Sequence, residues 1–189
     1  MKIIGITGKS GSGKSTLAMA LAENLKCKYL DIDKIGHEAL YNPLARDVLC
    51  EAFGKQIIVN GEVDRKEVGK VVFASKEKMD RLTEITWEYM QDIIDEILKT
   101  SIDEYVVLDW SLLPNSKYWN ACHYKVLVHA SVEKRKEKIM QRDGVTEEYF
   151  DLREFASWDY RNEKVDYLFT NEYTKESLES GIEHILKNI

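Results

Sequence analysis

Nine residues near the start of the chain, Gly8-Lys9-Ser10-Gly11-Ser12-Gly13-Lys14-Ser15-Thr16, have the types and spacing needed to enclose a polyphosphate. Glycines let the backbone turn tightly, so that its N–H groups and the N-terminus of a following helix face an anion. In this G-x-x-x-x-G-K-[ST] pattern, or P-loop, Lys14 is expected to reach the β- and γ-phosphates and the Ser15 hydroxyl to be a ligand of Mg²⁺. The setting strengthens the pattern: the apolar run Ile3-Ile4-Gly5-Ile6-Thr7 precedes it and the helical Leu17-Ala18-Met19-Ala20-Leu21-Ala22 follows. A glycine-rich turn that merely opened a helix would need neither Lys14 nor Ser15. Gly8, Gly11, Ser12, Gly13, Lys14, Ser15 and Thr16 are therefore the predicted site for a nucleoside triphosphate.

Carboxylates follow. The run Lys28–Ile32 ends in Asp31-Ile32-Asp33, and open α/β sheets bind their ligands beyond the C-terminal ends of the strands. Strand alternation would turn Asp31 and Asp33 to the same side. An acid beside a P-loop can orient an attacking hydroxyl and accept its proton. Asp33, further beyond the strand end, is the better candidate for that base. The competing role, capping a helix that starts near Lys34, suits Asp31 better. Tyr105-Val106-Val107-Leu108-Asp109 is an apolar run closed by one acid, and beside a P-loop Asp109 is expected to hold Mg²⁺, directly or through water. His37 stands one helical turn after Asp33, either near an acceptor or in ordinary packing.

Residues 133–142 hold five basic side chains, and at helical spacing Arg135, Lys138 and Arg142 share a face. A basic segment hinged at Gly144, with a new helix starting at Thr146, would close as a lid over a transferring phosphoryl and offset its charge. Arg142 is its catalytic candidate, and Arg153 comes nearly three turns later. For the individual lysines, a solvated helix face with i,i+4 pairs is the better reading.

An alternation of strands and helices must position these groups. Strands are predicted at Lys2–Thr7, Lys28–Ile32, Tyr105–Asp109, Tyr124–His129 and Asp166–Thr170, mostly apolar as in strands covered on both faces. Helices are predicted at Ser15–Lys26, Lys76–Lys99, Val132–Gln141 and Lys175–Lys187. Such alternation gives a parallel sheet with helices on both sides. Residues 36–100 read as a helical insertion between the second and third core strands, with only a weak strand signal at Gln56–Val59, and large enough to shape an acceptor site. The chain has 189 residues and only two prolines, Pro43 and Pro114, with no linker-like stretch, so one continuous domain is expected.

Composition narrows the partners. Hydrophobic residues make up 44% and charged residues 32%, which describes a globular core rather than disorder. A net charge of −6 argues against a nucleic-acid groove. No apolar run approaches the ~20 residues of a membrane span, and a P-loop so near the start leaves no room for a signal peptide. Cys27, Cys50 and Cys122 have no C-x-x-C spacing and suit free thiols acting as small buried hydrophobes. A cytoplasmic protein, as monomer or homo-oligomer, is expected, and its histidines have no metal-ligand spacing.

Together these pieces resemble the dephospho-coenzyme A kinase family over nearly the whole chain. Asp31-Ile32-Asp33-Lys34-Ile35-Gly36-His37 is similar to the family's D-x-D segment followed by a His. Asn60-Gly61-Glu62-Val63-Asp64-Arg65-Lys66, continuing to Val72-Phe73, resembles its G-x-[VL]-D-R-x-x-L-x-x-x-V-F run. Leu108-Asp109-Trp110-Ser111-Leu112-Leu113, Gln141-Arg142-Asp143-Gly144, Lys164, Val165-Asp166-Tyr167 and Asn171 continue the match. The resemblance implies the P-loop kinase fold, an α/β architecture with a five-stranded parallel sheet flanked by helices, a helical acceptor-binding insertion, and a lid at about residues 132–157. It implies transfer of a phosphoryl group from ATP to the ribose 3′-hydroxyl of dephospho-CoA, giving CoA and ADP. By the same resemblance Asp33 matches the catalytic base, Arg142 and Arg153 match lid arginines, and Lys138 stands where many members carry Arg. Asp64, Arg65, Leu112 and Leu113 fall on the acceptor side, and Asn171 on the adenine side.

The chain departs from the family in places. Ile85-Thr86-Trp87-Glu88 stands where members carry Ile-Thr-His-Pro, Ser111 replaces a Pro, and Arg135 replaces a frequent Gln. Two rival readings share the P-loop: a kinase for another small acceptor such as a nucleoside or nucleotide, and a nucleotide-dependent switch ATPase. The GTPase form of the latter needs N-K-x-D, which Asn162-Glu163-Lys164-Val165-Asp166 does not provide.

Overall fold

Runs of β-branched and aromatic residues form strands where the chain can cover both of their faces. The computed structural model describes residues 1–72, 75–155 and 157–189. Phe73 of the family-like run and Ala156 of the expected lid lie outside them. The chain divides into two units, Met1–Asp31 with Ile102–Ile189, and Ile32–Ser101. The first opens with β1 (Lys2–Thr7), α1 (Lys14–Leu25) and β2 (Lys28–Asp31). The second contains α2 (Ile32–Ala39), α3 (Pro43–Phe53), β3 (Ile58–Val59), β4 (Glu62–Val63), α4 (Arg65–Val72) and α5 (Lys76–Thr100). The first then resumes with β5 (Tyr105–Asp109), α6 (Lys117–Ala121), β6 (Tyr124–His129), α7 (Val132–Asp143), α8 (Glu147–Phe155), β7 (Tyr167–Thr170) and α9 (Lys175–Asn188).

The five strands of the first unit make one parallel sheet in the order β2-β5-β1-β6-β7. On one face, Ile4, Ile6, Val107, Val126 and Val128 pack with Leu17 and Leu21 of α1 and with Ile182 and Ile185 of α9. On the other face, Gly5 lets the α6 region come close. A Cβ at residue 5 would lie 2.5 Å from Cys122 Sγ and 3.1 Å from Leu113 Cδ2. Burial pushes the Cys122 thiol up to about 12, so this cysteine packs as a neutral hydrophobe.

In the second unit Leu40, Leu49, Phe53, Ile57, Val63, Val68 and Ile85 form a core of their own. α5 turns Ile85, Thr86, Met90 and Ile94 inward. The Gln56–Val59 signal resolves into a 3₁₀ turn at Lys55–Ile57 and a two-residue strand, paired with β4 in an antiparallel hairpin. β2 ends at Asp31 and α2 begins at Ile32, so the strand alternation expected to align Asp31 with Asp33 does not extend to Asp33. Ile32, Ile35 and Ala39 repeat at helical spacing and are buried, and Asp33 in the first turn complements the helix dipole. Among the described residues no helix is long and apolar enough to cross a membrane.

Candidate active site

The P-loop spans the gap between the end of β1 and the start of α1, and side chains from distant strands brace it. The Thr7 hydroxyl donates to the Trp110 carbonyl at 2.9 Å. Gly13 has φ of 90°, and a Cβ there would lie 2.1 Å from Asn171 Nδ2. Backbone angle and space both require glycine. The Asn171 amide donates to the Ser12 carbonyl at 2.8 Å and accepts the Tyr173 N–H at 2.8 Å. The Tyr173 hydroxyl donates to the Gly11 carbonyl. Asn171 thus holds the shape of the loop itself. Tyr173, which no sequence motif pointed to, shares that task.

Parallel pairing sets Asp31 beside Asp109, and Asp109 beside Ile6, at the C-terminal edge of the sheet. The Lys14 ammonium lies 3.6 Å from Asp109 Oδ1, and the Tyr29 hydroxyl donates to Asp109 Oδ2 at 3.0 Å. Burial pushes the Asp109 carboxyl above the usual range, against the opposing pull of Lys14, Ser15 and Tyr29. Burial and then the Asp109 charge raise the Tyr29 phenol in turn, so it stays a donor. Asp109 Oδ1 and Ser12 Oγ are buried without a hydrogen-bond partner. Leaving such an atom unpaired costs about 1–3 kcal/mol, so the arrangement fits a site completed by a cation and phosphate. Among the described residues no three or more His, Cys, Asp or Glu side chains are grouped so as to hold a metal ion by themselves. Mg²⁺ needs no such group, since it binds through one or two carboxylates together with substrate phosphates and water.

A cleft of about 730 Å³ opens over the loop, lined by Lys14, Ser15, Lys138, Arg142, Tyr173 and Leu178 among others. Ser131 caps α7, Gly144 ends it with φ of 64°, and Thr146 caps α8 by accepting the Tyr149 N–H. Arg142 donates to both Asp143 oxygens, at 2.6 and 2.8 Å, and Arg153 lies 3.7 Å from the same carboxylate. Arg142, then Arg153, hold the Asp143 carboxyl below its ordinary range. The Lys138 ammonium lies 5.7 Å from the Tyr173 ring centre. Arg135 shares a helix face with Lys138 and Arg142 by spacing, but its side chain is not open to solvent. It is buried and forks onto Glu154, because spacing fixes which residues share a face but not which face meets solvent.

Asp33 is exposed and His37 half-buried, one turn apart on α2. Asp64 caps α4, its carboxylate accepting the Lys66 and Glu67 N–H groups at 2.8 and 3.0 Å, and Arg65 is exposed. Trp87 is half-buried and Glu88 exposed. Leu112 is half-buried, but Leu113, expected on the acceptor side, is fully buried against Gly5 of β1, so its side chain is part of the core. Ser111 works through its carbonyl, which accepts from Thr7 and Tyr160. A proline there would supply the same acceptor.

The family profile described as dephospho-CoA kinase matches residues 2–176. The chain belongs to the dephospho-CoA kinase family. A dephospho-CoA kinase of Enterococcus faecalis is 31% identical over 196 residues, which cover 98% of this chain and 96% of that one. A solved structure from Thermus thermophilus superposes with a TM-score of 0.84 at 28% identity, covering 100% of this chain and 97% of the other. A shikimate kinase from Bacteroides thetaiotaomicron, at 16% identity with a TM-score of 0.58 over 98% of this chain and 97% of its own, shares the fold alone. The five-stranded parallel sheet flanked by helices is thus the P-loop kinase fold that this family's resemblance implied.

Proposed function

We propose that this chain transfers the γ-phosphoryl group of ATP to the ribose 3′-hydroxyl of dephospho-CoA, releasing CoA and ADP. The observation that carries the reading is the family match along residues 2–176, which includes both the P-loop and the D-x-D segment. The buried Asp109 oxygen that lacks a hydrogen bond, ion-paired with Lys14, supports the phosphate chemistry independently.

In this mechanism the loop N–H groups of residues 8–16 hold the β-phosphate, while Lys14 turns from Asp109 to the β- and γ-phosphates. Ser15 and Asp109 are the residues that would hold Mg²⁺, which when bound offsets the negative charge of the β- and γ-phosphoryl oxygens. The Tyr173–Leu178 side of the cleft takes the adenine. Asp33 orients the acceptor hydroxyl and accepts its proton as the new O–P bond forms. The bond between phosphorus and the β–γ bridging oxygen breaks, and its electron pair leaves with ADP. Arg142, Arg153 and Lys138 spread positive charge over the transferring group, and closing the lid excludes water that would otherwise hydrolyse ATP. Trp87 and Glu88 shape the acceptor side where relatives carry His-Pro.

An acceptor panel tests the assignment. ADP release from Mg·ATP should depend on dephospho-CoA and stay at background with adenosine, AMP, shikimate or gluconate. Strong turnover of a nucleoside with none of dephospho-CoA would move the chain to another acceptor, and acceptor-independent hydrolysis would make it a switch ATPase.

A further inference from the structure

We propose that Arg135 and Glu154 are a positioning pair that fixes the base of the lid to the P-loop and so sets where Arg142 and Arg153 stand. The proposal rests on the phosphoryl-transfer reading for its catalytic consequence, though not for its geometry.

A single guanidinium joins three segments. Arg135 Nη1 and Nη2 donate to the two Glu154 oxygens at 2.8 Å each, a bidentate fork between α7 and α8. Nη1 also points to the Ser10 carbonyl of the P-loop at 3.3 Å, and Nε to the Ala130 carbonyl at 3.3 Å. From the loop side, Lys9 Nζ reaches Glu154 Oε1 at 2.6 Å. The Arg135 side chain is only 4% exposed and Glu154 23%, so water screens the fork poorly. The backbone packs just as closely: a Cβ at Gly11 would lie 3.0 Å from the Arg135 carbonyl oxygen and 3.0 Å from Ile139.

The consequence follows from position along the helices. Arg142 lies two turns beyond Arg135 on α7, and Arg153 is the chain neighbour of Glu154 on α8. Any shift of the fork displaces both lid arginines relative to the loop that holds the phosphates. Neither Arg135 nor Glu154 lines the cleft over the loop, so the pair acts through other residues. A lysine at 135 would keep the charge but lose the fork.

The test compares wild type with Glu154→Gln, Arg135→Gln, the double variant and Lys9→Met. Each single change at 135 or 154 should lower kcat by a factor on the order of 10–10² while KM for ATP moves less than about 3-fold, and the double variant should cost less than the product of the singles. An unchanged kcat with only a lowered melting temperature would reduce the pair to packing and overturn the proposal. Lys9→Met, at a partly exposed position, keeps the question answerable if Arg135→Gln does not fold: kcat should fall about 3–10-fold, and full activity there and in Glu154→Gln would also overturn it. Hydrogen exchange of residues 141–155 gives a readout that needs no acceptor. Mg·ADP should protect this segment in wild type and not in Glu154→Gln, and equal protection in both would contradict the proposal. If wild type shows no dephospho-CoA turnover, the function assignment fails while the exchange result still judges the pair.

Discussion

Lys14 and Asp109 stand 3.6 Å apart, with the carboxylate buried and one of its oxygens lacking a hydrogen bond. On the proposed reading Lys14 would turn to the triphosphate, and Mg²⁺, which Ser15 and Asp109 would hold, would supply positive charge beside the carboxylate. Lys14→Ala should therefore weaken ATP binding and turnover together, by a factor on the order of 10²–10³ in kcat/KM. An unchanged dissociation constant for ATP, measured by equilibrium dialysis, would contradict the assignment of Lys14. The positions of Lys14 and Ser15 at the start of α1 and of Asp109 at the end of β5 were legible, because each is local to a motif or ends a strand. Tyr29, Tyr173 and Glu154 were not legible. Tyr29 meets Asp109 from 80 positions away, Tyr173 meets Gly11 across 162, and Glu154 meets Lys9 across 145. Those contacts come from strand order and helix docking, which residue spacing does not display.

At the scale of elements, Gly5 shows why the central strand tolerates no side chain at that point. Gly5→Ala would drive a methyl group to 2.5 Å from Cys122 Sγ, with Leu113 and Trp119 at 3.1 and 3.3 Å. Overpacking of this kind costs about 1–3 kcal/mol. Denaturant unfolding should show that loss, whereas Gly5→Ala with Cys122→Ala should recover part of it. Stability equal to wild type in Gly5→Ala alone would mean that the α6 region yields freely. The core strands and long helices were legible because apolar runs and 3.6-residue periodicity are strong over several turns. The β2–α2 boundary was not, since Asp31-Ile32-Asp33 reads as alternation in a strand and equally as the first turn of a helix. The β3–β4 hairpin has two residues per strand, too few to show a period.

At the scale of the molecule, Lys14 and Asp109 belong to the first unit, while Asp33, Trp87 and Glu88 belong to the second. The ion pair between α7 and α8 also gives the fold a pH signature. Arg135, then Lys9, hold the Glu154 carboxyl down to about 2 from an ordinary value of 4.5. A lowered folded value stabilises the protein above pH 4.5, and that contribution fades as pH falls from 4.5 toward 2. The melting-temperature gap between wild type and Glu154→Gln should therefore be constant above about pH 5.5 and narrow below about 4.5. A gap independent of pH would contradict the ion pair.

The proposed mechanism has this chain phosphorylate dephospho-CoA with Asp33 as the base. Its most direct measurement is the initial rate of CoA formation from Mg·ATP and dephospho-CoA by wild type and by Asp33→Asn, alongside ATP binding to both. Wild type should form CoA in an acceptor-dependent way, and the variant should lose kcat by a factor on the order of 10²–10⁴ with ATP binding retained. Near-full CoA formation by Asp33→Asn would remove Asp33 from the mechanism, and no CoA formation by ATP-binding wild-type protein would overturn the assigned acceptor.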